Sequence, residues 1–92
     1  METFIVVATF SPEKDLPLMN EVMAAEVAQV QVLRAGGRLG AVHISPRRGH
    51  VFLEVLAEDE GVAMTTVQTL PMAKWWAIDI FPTMQPRVES AQ

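Results

Sequence analysis

Residues 3–10, Thr-Phe-Ile-Val-Val-Ala-Thr-Phe, are β-branched, aromatic and almost continuously apolar, which predicts a strand buried on both faces. Residues 18–35 change period. Leu18, Val22, Ala25, Val32 and Leu33 recur at three-, four- and seven-residue steps, the spacing of a buried helical stripe. Met19, Met23, Val27 and Val30 widen that stripe into a second apolar face, which predicts one face on the chain's own sheet and one on a partner. Asp15 and Pro17 open this helix as cap and first-turn residue, and Gly36-Gly37 closes it.

Residues 38–45 and 50–57 read as two strands joined by the turn Pro46-Arg47-Arg48-Gly49, with Gly40 marking a bulge or a close approach. The acids Glu58, Asp59 and Glu60 suit the positive end of a second helix, residues 61–70, which stops at Pro71. A last strand is expected over residues 74–81, with Pro82 and Pro86 in a tail that is loose or lies over a neighbour. Strand, helix, strand, strand, helix, strand in 92 residues predicts a single ferredoxin-like α+β domain over 1–92, built on a four-stranded antiparallel sheet.

Composition changes this picture in one respect. Half the residues are hydrophobic and there is no cysteine, so a small domain carries surplus apolar surface with no disulfide to staple it. A homodimer or higher homo-oligomer is expected. The net charge of −4 argues against a nucleic-acid partner, and no apolar run approaches the roughly 18–20 residues of a membrane span. The first residues lack the features of a signal peptide, which with the absent cysteines points to the cytoplasm.

Catalytic signatures such as a phosphate-binding glycine loop or a nucleophile elbow are missing, and two histidines without cysteine do not make a structural zinc site. The available chemistry is proton transfer by a carboxylate or imidazole in an apolar cavity, without cofactor. Three residues are candidates. Glu26 stands beside the core stripe of the long helix and points either between helix and sheet or to the solvent boundary. His43 sits mid-strand between Val42 and Ile44, sharing a face with Ala41 and Ser45, and is either an acid/base group or a hydrogen-bonded histidine on the solvent face. Asp79 alternates with Ile78 and Ile80 on the last strand, on a face either lining a site or packed on a partner chain. Glu54 on the third strand has the same ambiguity. Trp75 and Trp76 point to opposite faces of the strand, one filling the core and the other a pocket or interface. With Phe4 and Phe52 they make up the expected substrate wall.

Several segments resemble the muconolactone isomerase-like family of dimeric α+β barrel proteins. They are Asp15-Leu16-Pro17, the helix stretch Ala24 to Leu33, Gly36-Gly37-Arg38-Leu39, and Leu70-Pro71 followed by Trp75, Ile78-Asp79-Ile80 and Pro82. The resemblance implies that two sheets pair into a barrel, and that a small lactone is isomerised without cofactor by moving a proton between carbons. Glu26 matches the family's glutamate, and Asp79 falls where the family has an acid. The family's histidine, aromatic and arginine of the second strand correspond to Ala41, His43 and Ile44, so a substrate less charged and more aromatic than muconolactone is expected.

Two functions from different classes follow. One is an isomerase or cyclase of a hydrophobic lactone or ring compound, with Glu26 and His43 sharing proton transfer and Asp79 orienting one of them. The other is a non-catalytic small-ligand-binding or assembly protein on the same scaffold.

Overall fold

The computed structural model describes residues 1–84. Strands β1 (Glu2–Phe10), β2 (Leu39–Ser45), β3 (His50–Ala57) and β4 (Trp76–Pro82) form one antiparallel sheet in the order β2-β3-β1-β4. Helices α1 (Leu16–Ala35) and α2 (Glu60–Gln68) and a short 3₁₀ segment, Pro71–Trp75, complete the order β-α-β-β-α-β. This is the arrangement of a ferredoxin-like α+β fold. Pro82 ends β4 instead of beginning a tail, and Pro86 lies outside the described residues.

Local chemistry sets the element boundaries. Asp15 caps α1 by accepting the Leu18 N–H on Oδ1 at 3.0 Å, and Asp59 caps α2 by accepting the Val62 N–H at 2.8 Å. Gly37, at φ 73°, takes the left-handed conformation that ends α1, and the Arg38 N–H reaches back to the Leu33 carbonyl at 2.9 Å.

The helices cover only one face of the sheet. Phe4, Val6 and Ala8 of β1 and Val51, Leu53, Val55 and Ala57 of β3 turn toward them and are buried with Leu33, Ala63, Val67 and Leu70. Leu53, Val6, Val55 and Val67 are the largest side chains almost wholly removed from water. β1 is therefore not buried on both faces. Its burial alternates, and Ile5, Val7 and Thr9 stay half-exposed on the opposite side of the sheet. That side is left uncovered by the described residues and is largely apolar at its centre, where Phe52 (38% exposed) and Phe81 (52% exposed) join Ile5 and Val7.

α1 also differs from its simplest sequence pattern. Leu18, Met19, Val22, Glu26, Gln29, Val30 and Leu33 are its partly or fully buried positions, whereas Ala25 and Val32 are exposed. Glu26 thus occupies the middle of the inward stripe rather than its flank.

A bulge in β2 decides which residues meet α1. Leu39 pairs with Val55 and Val42 with Leu53, so three steps along β2 match two along β3. Leu39 and Val42 both face the helices as a result. The Glu54 carboxylate sits against Gly40 and accepts the Ala41 N–H at 3.2 Å, in space that a Cβ on residue 40 would invade.

Candidate active site

A cavity of about 390 Å³ opens between α1 and the β2-β3-β1 part of the sheet. Its walls are mainly apolar. Met19, Met23, Val27 and Val30 come from α1, Val42 and Ile44 from β2, and Val51 and Leu53 from β3. Phe10, Met72 and Trp76 close one side. The polar side chains in the wall are Glu26, Gln31 and Arg34, all from α1. The volume lies within the range of roughly 300–1,000 Å³ typical of small-molecule sites. Three methionines give this wall the adaptability of an unbranched, polarisable side chain.

Glu26 is held in place. Its Oε1 accepts the backbone N–H of Met72 at 2.9 Å, across from α1 to the 3₁₀ segment. That segment has no side-chain cap of its own at Leu70, so Glu26 supplies the missing acceptor from another helix. Burial disfavours the charged carboxylate and raises its pKa above the ordinary 4.5, and the Met72 bond offsets part of that rise. Oε2 makes no hydrogen bond among the described residues.

Trp76 is the tryptophan of this cavity. Its ring meets Phe10 edge-on, with centroids 6.0 Å apart and planes at 85°. Its Nε1 is a buried donor with no hydrogen-bond acceptor among the described residues. Trp75 does not continue the strand. It ends the 3₁₀ segment, and the Lys74 ammonium lies 4.7 Å from its ring centre. The two tryptophans are therefore separated by a change of backbone geometry, not by strand alternation.

The other expected site residues fall elsewhere. Phe4 is packed in the core at 2% exposure and does not line the cavity. His43 and Phe52 lie on the open face of the sheet, with Ala41, Glu54 and Ile5, around a shallow depression of about 170 Å³. Asp79 is exposed on the same open face and pairs with Val7, while Ile78 and Ile80 turn toward the core. His43, Phe52, Val7 and Asp79 form one cross-strand row. Three strand spacings, about 14 Å, separate the ends of that row.

The described residues of one chain therefore do not bring Glu26, His43 and Asp79 together. The sheet stands between Glu26 and the other two. The β2 bulge is the physical reason for His43. Strict alternation from buried Leu39 would put residues 41 and 43 on the helix side, and one extra residue reverses them.

Arg34, Gln31, Phe10 and Met72 are cavity residues that the sequence pattern did not single out. The one available signal was the spacing of Glu26 to Val30 to Arg34, successive four-residue steps on α1. Among the described residues, no three His, Cys, Asp or Glu side chains gather closely enough to hold a metal ion. No described helix is long and apolar enough to cross a membrane. No family model matches the chain, and no curated protein matches it in sequence.

Proposed function

We propose that the chain is a cofactor-independent isomerase or cyclase acting on a small hydrophobic lactone or ring compound, of the kind found among muconolactone isomerase-like proteins. The observation that carries this reading is the Glu26 carboxylate, the one acid lining a mainly apolar cavity among the described residues, fixed by the Met72 N–H and raised in pKa by burial. A carboxyl group poised nearer neutrality both takes and returns a proton efficiently.

The step runs on Glu26 alone. Its carboxylate removes a proton from a carbon next to the substrate carbonyl, and the C–H electrons form the enolate double bond. The resulting carboxylic acid then delivers that proton to another carbon, which regenerates the carboxylate and moves the double bond. The ring lies against Trp76, Val30 and Met23.

The same reading seats a second copy of the chain on the open sheet face, as in a dimeric α+β barrel. Ile5, Val7, Phe52 and Phe81 supply the apolar centre of that face, and His43 and Asp79 its polar edges. In this arrangement His43 and Asp79 serve assembly.

A second reading is supported by the Met72 bond itself. Glu26 as cap of the 3₁₀ segment is sufficient reason for a buried acid, and the protein then binds a small ligand or assembles without catalysis. Turnover of a lactone panel by Glu26→Gln separates the two readings. The amide keeps an acceptor for Met72 but cannot cycle a proton, so a drop of about 10²–10⁴-fold supports catalysis. Full activity in that variant removes it.

A further inference from the structure

Arg34 lies in the last turn of α1 and lines the same cavity as Glu26. Eight residues separate them, a rise of about 12 Å along the helix. Between them the helix presents Val27 and Val30 to the cavity, with Gln31 beside them. The site thus has an acid toward one end, an apolar middle and a permanent cation toward the other.

The arginine is tethered. Its Nε donates to the Gly40 carbonyl at 3.2 Å, its one hydrogen bond among the described residues, which leaves four of five N–H groups unused. Gly40 belongs to the β2 bulge, whose shape is fixed by Glu54 accepting the Ala41 N–H. Glu54 is on the open face of the sheet with His43, engaged there, and does not line the cavity that Arg34 lines. The cation is set in a protein of net charge −4, so a bound anion is favoured here by local placement and not by the overall field.

Building on the catalytic-pocket reading, and in place of the less charged substrate expected from the missing arginine of the second strand, we propose that the ligand is an apolar ring compound carrying one anionic oxygen group, a carboxylate or an ionised phenol, bound by Arg34. The anion fixes which end of the ring enters first. Its far side then lies toward Glu26, so Arg34 selects the carbon from which a proton is taken. Arg34 is a specificity residue in this scheme and does not move the proton.

The test compares 2-naphthoate with the neutral 2-acetylnaphthalene by calorimetry, on wild type, Arg34→Met and Arg34→Lys, with circular dichroism to verify folding. Wild type is expected to prefer 2-naphthoate by about tenfold, the ratio that one charge-assisted contact supplies. The preference is lost in Arg34→Met, partly kept in Arg34→Lys, and weakened by 0.5 M salt, while 2-acetylnaphthalene binds all three alike. Equal affinity of wild type for both probes, or a preference that survives in Arg34→Met, overturns the anionic ligand and leaves the pocket standing. Failure of both probes to bind any form overturns the pocket reading, and this inference with it.

Discussion

Replacing Glu26 by glutamine and by alanine separates its two roles, because only the alanine variant removes the acceptor for Met72. The Met72 N–H···Oε1 bond is 2.9 Å long and part-buried. A hydrogen bond to a charged group contributes about 1.5–3 kcal/mol and a neutral one about 0.5–1.5 kcal/mol. Glutamine therefore loses about 1 kcal/mol of bond strength but no longer buries a charge. Since burial is the larger influence on the Glu26 carboxyl, Glu26→Gln is expected to match or exceed wild-type stability at pH 7. Alanine leaves the Met72 N–H unpartnered and is expected to cost about 1–3 kcal/mol.

The pH dependence gives the sharper readout. Glu26 has a higher pKa folded than unfolded, so between 4.5 and its raised value the folded chain holds a proton that the unfolded chain has released. Wild-type stability relative to Glu26→Gln therefore falls as pH rises through that window and levels off above it. Urea unfolding followed by far-ultraviolet circular dichroism at pH 4 to 8 measures the difference directly, since every other carboxylate is common to both proteins. Parallel stability curves for the two would refute the reasoning, and so would a wild-type advantage that grows with pH.

Other consequences follow from the geometry. Leu53→Ala hollows the core beneath both depressions of the sheet and should cost about 2–5 kcal/mol by denaturant unfolding. Gly40→Ala displaces the Glu54 carboxylate and Glu54→Ala removes it, so both break the same bond to Ala41. A double-mutant cycle should show a non-additivity of about 1 kcal/mol, and strictly additive losses would contradict the shared contact. If a second copy covers the open face, Phe52→Glu with Phe81→Glu should shift sedimentation toward monomer with little loss of fold; an unchanged mass would remove that interface. His43→Ala should leave the chemical step within a few-fold of wild type, because the sheet separates it from Glu26.

Much of the fold was legible because local signals agreed. The cap at Asp15, the acids at the start of α2, the glycines after α1 and the Pro46–Gly49 turn each mark a boundary by their own local chemistry. The site was less legible because it depends on facing, not on element type. One unpaired residue in the β2 bulge moves His43 to the far side of the sheet, and hydrophobic alternation does not reveal on which side of Gly40 the register slips. The 3₁₀ segment between Pro71 and Trp75 removed Trp75 from the strand that its apolar character suggested. Glu26 was found from its apolar neighbours, but its capping of a segment 46 residues away was not, since a backbone N–H partner leaves no mark in sequence. Arg34 lines the cavity with Val30 and Gln31, a position that its polar character alone does not signal.

The central claim is that Glu26 exchanges a proton with a carbon acid in the α1 cavity. Proton magnetic resonance of a lactone panel, starting with muconolactone, incubated with the protein in D₂O tests it directly. Deuterium entering next to the carbonyl with wild type, and at a rate reduced about 10²-fold or more in Glu26→Gln, is the expected result. Incorporation at the same rate in both proteins, or in neither, would contradict it.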